Sequence, residues 1–164
     1  MSQSRSVAII GSFKQFYDDV LTARREFEAT GFRVTSPAGT EILEPGVEFV
    51  RFASDDRMAD DHLVQTRTMA LILGSDLVFV VAPGGYIGRT TCYEVGRVRQ
   101  AQVPLYFSEQ PRDLPILVPA SHVVSVRDLA RRLLSVHPEA WDYSAGDEAA
   151  IVEMSLVAQC GAPR

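Results

Sequence analysis

The chain has 164 residues and a mass of 18.1 kDa, with 46% hydrophobic residues, 23% charged residues and a formal net charge of −5. That length suits one compact domain, and the composition excludes intrinsic disorder and fibrous repeats. A pI near 5.2 argues against a broad basic face that tracks a nucleic-acid polymer, while leaving room for a local pocket for one phosphate.

The N-terminal residues lead into a five-residue apolar run, too short for a signal-peptide core or a membrane span, so a soluble cytoplasmic protein is expected. Val7-Ala-Ile-Ile10, ended by Gly11-Ser12, has the continuous apolar character of a strand buried on both faces. Behind it Phe13, Phe16, Tyr17, Val20, Leu21 and Phe27 fall at helical spacing, and Thr30-Gly31 supplies the stop. Phe32–Pro37 reads as a second strand. Residues 38–60 are irregular, with Pro45 and an acidic stretch from Ser54 to Asp61; a functional loop or lid and a solvated surface loop both fit.

A helix is predicted from about His62 to Leu73, closed by Gly74, and Leu77–Ala82 is the strongest strand in the chain. After the segment Pro83–Thr91 a helix runs from about Cys92 to Gln102. Pro104–Phe107 is a fourth strand, His122–Val126 a short fifth, and Arg127–Val136 a closing helix. Strands alternating with helices predict an α/β fold: a Rossmann-like (flavodoxin-like) parallel sheet of about five strands with helices on both faces. Residues 1–140 form this domain. Residues 141–164 are a tail in which Ile151, Met154, Leu156 and Val157 suit a helix docking on the domain or on a partner subunit.

In such sheets ligands sit at the carboxyl ends of the strands, here Gly11-Ser-Phe13 and Pro83–Thr91. Gly84, Gly85 and Gly88 let backbone approach a ligand and lead into a helix start, where free N–H groups and the dipole favour an anion. Ser12, Arg89, Thr90 and Thr91 are suitable donors to a phosphate or sugar hydroxyl. A plain turn joining strand to helix also fits the glycines; the arginine and two threonines favour a ligand loop. Tyr86 and Phe13 suit stacking on a base or sugar, or simple packing.

Glu94 falls in or near the first helical turn, where the dipole would keep it ionised and aimed at the ligand end. An ionised carboxylate can attack an anomeric carbon or stabilise an oxocarbenium-like transition state, although first-turn glutamates are also common purely for helix stability. Asp76 suits a structural role, pairing with backbone N–H groups at its turn. His62 reads first as a surface histidine and second as an active-site residue. Cys92 reads as a small core-facing residue. Cys92 and Cys160, the only two cysteines, make no disulfide framework, and the three histidines are scattered, so no metal site and no cofactor are expected. Dinucleotide, P-loop and nucleophile-elbow motifs are absent.

Val7–Ser12, Ser75–Val81, Gly88–Glu94 and the run from Tyr93-Glu-Val-Gly96 through Val103-Pro-Leu105 together resemble the nucleoside 2-deoxyribosyltransferase family and its deoxynucleotide N-glycosidase relatives, over roughly the first 107 residues. The resemblance implies that Glu94 is the nucleophile attacking C1′, and that Gly11-Ser12 and Gly88–Thr91 hold the sugar and any 5′-phosphate. It also implies a homo-oligomer, a dimer or larger. Three positions depart from the family pattern: Thr68 stands where the base-side aspartate falls, Ala8 replaces a first-strand tyrosine, and Gly88 occupies a frequent ligand position. His62, Asp60 and Asp61 are the candidates to replace the missing acid/base. Pro83-Gly-Gly-Tyr with the threonines and Glu94 is also similar, apart from an insertion, to the P-G-G-x-G-T-x-x-E signature of cytokinin-releasing phosphoribohydrolases.

The expected function is cleavage or transfer at the N-glycosidic bond of a nucleoside or nucleoside 5′-monophosphate, with no metal or redox cofactor. A non-catalytic nucleotide-binding sensor is the alternative. A third reading is an assembly protein that recruits partners through its tail.

Overall fold

The computed structural model describes residues 4–41, 51–53, 60–141 and 148–159. The elements run β1 (Ser6–Gly11), α1 (Phe13–Ala29), β2 (Arg33–Ser36), α2 (Asp61–Leu73), β3 (Leu77–Val81), α3 (Arg89–Gln100), β4 (Leu105–Phe107), α4 (Val126–Leu133) and α5 (Glu148–Gln159). Short 3₁₀ turns lie at Pro83–Gly85 and Ala120–His122. The four described strands form one all-parallel sheet in the order β2-β1-β3-β4, an arrangement consistent with a Rossmann-like fold.

That order places the site. The chain moves from β1 out to β2, then returns past β1 to lay β3 on its other side. Crossovers of one hand therefore put α1 and α2 on opposite faces of the sheet. The core divides accordingly. Val7, Ile9, Leu77 and Phe79 face the side packed by Val20 and Phe27 of α1 and Leu129 of α4. Ala8, Ile10, Val78 and Val80 face the side packed by Ile72 of α2 and Val98 of α3. Apolar residues at Val7–Ile10 of β1 and at every position of β3 thus fill two cores, with the period-2 alternation hidden by burial on both faces.

Local signals set the helix ends. At the end of α1 the Gly31 amide donates to the Glu28 carbonyl at 3.0 Å and the Phe32 amide to Phe27 at 3.1 Å, the paired closure of a Schellman motif. Asp60, not His62, begins α2: its carboxylate accepts from the Leu63 amide at 2.7 Å.

Two expectations need correction. Among the described residues the sheet has four strands rather than about five, because His122–Val126 contributes one bridge, Phe107 to Val123, instead of a strand. His122 is buried against Tyr106, stacked at 4.8 Å, and Ser125 accepts from the Asp128 amide at 3.1 Å to start α4, so too few residues remain to form a ladder. The helix expected from Cys92 begins three residues earlier at Arg89, with Gly88 in extended geometry as its N-cap. It ends at Gln100, where Gln102 takes φ +57° and breaks the helix. The tail meets the domain core. Trp141 is buried and donates its indole N–H to the Leu105 carbonyl at 2.7 Å, and Ala150 of α5 joins the α2/α3 core. Of the irregular segment 38–60, residues 42–50 and 54–59 lie outside the described residues, as does Cys160. Among the described residues no helix is long and apolar enough to cross a membrane.

Candidate functional site

At the carboxyl ends of β1 and β3, where the strand order reverses, lies a cleft of about 420 Å3. Its position follows from the topology: the connections leaving β1 and β3 diverge to opposite faces and leave a crevice between them. The volume falls within the range of small-molecule sites.

Gly11 ends β1, and close approach demands glycine there, since a Cβ would lie 2.8 Å from the Val81 carbonyl oxygen of β3. Two helices then present their N-termini to the cleft, α1 behind Ser12 and α3 behind Gly88. Neither has a side-chain cap. The leading amides of both, with the Arg89 side chain at the start of α3, make one wall suited to anionic or hydroxyl groups. Apolar surface in the same cleft comes from Phe13, Phe52 and Tyr86. Phe13 meets Phe52 edge-on at 5.5 Å, and Tyr86 meets Phe16 edge-on at 5.9 Å. Aromatic rings beside hydrogen-bond donors in one cleft fit a ligand that combines a flat ring with oxygens.

Glu94 lies on the wall formed by α3. Because α3 starts at Arg89, Glu94 sits in the second turn, about 7 Å along the axis from the helix start, beyond the first-turn position the sequence predicted. Helical side chains lean toward the N-terminus, so its carboxyl tilts back over Thr90 and Thr91 toward the cleft. It is 6% exposed. Burial pushes its pKa up to about 7, opposed by one hydrogen bond donated from the Gln65 side-chain amide to Oε1 at 3.1 Å. Desolvation thus works against the ionised form that the helix dipole was expected to favour, and Glu94 lies beyond the first turn in which that dipole acts.

Of the predicted binding residues, Gly11, Ser12, Phe13, Tyr86, Gly88, Arg89, Thr90 and Thr91 line this cleft with Glu94. Gly84 and Gly85 do not. Their turn packs the other way: the Gly84 amide donates to Glu109 at 3.1 Å, the Arg112 amide donates to the Gly85 carbonyl at 2.9 Å, and a Cβ on Gly85 would stand 2.5 Å from the Gln110 carbonyl. Nor does the structure bring His62 or Asp61 to the cleft. Both are exposed on the first turn of α2, Asp61 paired with Arg51 at 2.6 Å, and Asp60 caps the helix. Thr68 does line the cleft.

Sequence reasoning missed Gln65, Lys14 and Arg67, which join the lining from α2 and α1. Gln65 and Glu94 are 29 positions apart, and no motif couples them; only the packing of α2 beside α3 does. Cys92 sits half-buried against the core with its thiol pKa raised by burial, as suits a packing residue. Among the described residues no group of three or more His, Cys, Asp or Glu is arranged to hold a metal ion. No protein-family model matches this chain, and no curated protein matches it either.

Proposed function

We propose that the cleft acts on the N-glycosidic bond of a nucleoside or nucleoside 5′-monophosphate, with Glu94 as nucleophile, as the resemblance to nucleoside 2-deoxyribosyltransferases implies. One observation carries the reading. A buried carboxyl poised near neutral pH, the only one among the described residues that line the cleft, shares it with aromatic rings and two uncapped helix N-termini.

The base lies toward Phe13, Phe52 and Tyr86. The sugar hydroxyls and any phosphate lie toward Ser12, Arg89, Thr90 and the leading amides of α1 and α3. A carboxylate oxygen of Glu94 attacks C1′ as the C1′–N bond breaks; the bonding pair leaves with the base, which takes a proton from water. Water or a second base then attacks C1′, loses its proton to solvent, and the Glu94 carboxylate departs with its electron pair. The ionised form is the reactive one, so base release rises with pH through about 7. By the same resemblance the working unit is a homo-oligomer. The exposed Ile151, Val152, Met154 and Leu156 on α5 offer an apolar face for such assembly.

The deciding experiment incubates the protein with ribo- and deoxyribonucleosides and their 5′-monophosphates and follows free base by chromatography, with Glu94→Ala alongside. Base release lost in the variant supports the reading. Nucleotide binding by calorimetry without release, in wild type and variant alike, replaces catalysis with a nucleotide sensor.

A further inference from the structure

We propose that Gln65 is a positioning residue for Glu94: its amide holds one carboxyl oxygen and leaves the other to form and break the bond to the substrate. This rests on the reading of Glu94 as the reacting group. The Gln65 Nε2 donates to Glu94 Oε1 across 3.1 Å, from α2 to α3, at a carboxyl that is 6% exposed. With so little solvent at the carboxyl, the amide is the partner that fixes its rotamer.

The choice of an amide has a chemical consequence. An amide carries a donor and an acceptor at its tip and does not titrate. Its NH2 donates to a carboxylate, and a half-turn about its last bond presents the carbonyl to a carboxylic acid. Lysine would serve only the ionised state, glutamate only the protonated one, and methionine neither. Through the proposed cycle Glu94 passes from carboxylate to glycosyl ester and back. The oxygen held by Gln65 is an acceptor in both, a carboxylate oxygen first and an ester carbonyl next. One N–H therefore serves both species without rearranging.

Glu94 is the only carboxyl or imidazole among the described residues that line the cleft. The charged groups sharing it are Lys14 from α1, Arg67 from α2 and Arg89 from α3, and substitutions at Gln65 leave these in place. Donation to the ionised form favours it, so removing the donor moves Glu94's titration to higher pH and adding a cation moves it lower.

The test labels glutamate carboxyl carbons with 13C, assigns Glu94 by its loss in Glu94→Gln, and follows its chemical shift against pH. In Gln65→Met, which keeps length and helix propensity, the midpoint should rise by about one pH unit. In Gln65→Lys it should fall below wild type. Base release should show the same opposed shifts in its pH profile, with kcat in Gln65→Met about tenfold or more lower and KM within about twofold. A residue that only props the helices would move both variants the same way. A Gln65→Met midpoint equal to wild type overturns the proposal; if that variant does not fold, a Gln65→Lys midpoint at or above wild type does so alone. Opposed midpoints in a protein that releases no base would leave Gln65 its role and remove the glycosidic reading. Base release with unmoved profiles in both variants would do the reverse.

Discussion

The two ends of the sheet each carry a carboxyl, and the molecule treats them oppositely. At the amino end Asp76, just before β3, accepts from the Ser6 amide at 2.7 Å and the Ser6 hydroxyl at 2.8 Å, while its own amide donates to the same hydroxyl at 3.0 Å. Those bonds hold its pKa below the ordinary carboxylate range, and they stitch β1 to β3 where their pairing begins. At the carboxyl end Glu94 is deeply buried with one amide for company, and its pKa rises to about 7. A well-supplied carboxylate stabilises the fold, whereas a buried and sparsely supplied one is costly to the fold and becomes available for chemistry.

The contrast is broken most severely at Glu94. Glu94→Gln should lower base release by at least about a thousandfold, read by chromatography of free base. The same substitution should stabilise the protein. The folded-state pKa lies above the unfolded value of 4.5, so the native state binds the extra proton between those limits, and stability falls as pH rises from about 4.5 through about 7. Removing the charge should therefore raise the unfolding free energy at about pH 8 by up to about 3 kcal/mol, with the gap to wild type closing near pH 4, measured by urea titration at both pH values. A gap independent of pH would show that Glu94 is not desolvated.

The glycines sharpen the comparison between scaffold and cleft. Gly85 has φ +76°, and its Cβ position is 2.5 Å from a backbone oxygen, so Gly85→Ala should cost about 2 kcal/mol or more of stability. Gly88 has φ −73°, and a Cβ there makes ordinary contacts with the Ser12 side chain at 3.7 Å and the Tyr86 ring at 3.8 Å. Gly88→Ala should cost less than Gly85→Ala, about 0.5–1 kcal/mol for a poorer N-cap on α3, and raise KM, because the methyl enters the cleft rather than the core.

A comparably small effect belongs to the amino end. Asp76→Asn should cost about 1 kcal/mol near neutral pH, modest because the carboxyl is solvent-exposed. Its folded-state pKa lies below the unfolded value, so the stabilisation is present above about pH 4 and is lost as pH falls through the folded value. Urea titrations of Asp76→Asn and Glu94→Gln should thus diverge from wild type in opposite directions as pH rises.

Much of this architecture was legible in the residue order. The apolar runs at Val7–Ile10 and Leu77–Val81, the stop at Thr30-Gly31 and the alternation of strand and helix follow from short-range preferences and burial. Asp76 is structural, but its partner is Ser6, 70 positions away, and not an amide at its own turn. The reading failed where a distant partner took over. His122–Val126 has strand-forming residues, yet His122 stacks on Tyr106 and Ser125 caps α4. Gly84 and Gly85 had the composition of a phosphate loop, but contacts with residues 109–112 turned them into scaffold.

The sequence by itself therefore determined which segments are strands and helices, because hydrophobic period and end signals act within a few residues. It also singled out Glu94 and the flanking Gly88–Thr91 as candidates by residue type. Only the tertiary structure decided which face of α3 is buried, that Gln65 reaches Glu94, and that the carboxyl titrates near 7. Desolvation is a property of everything packed around a group, and neighbours brought in from 29 positions away leave no mark in the local pattern.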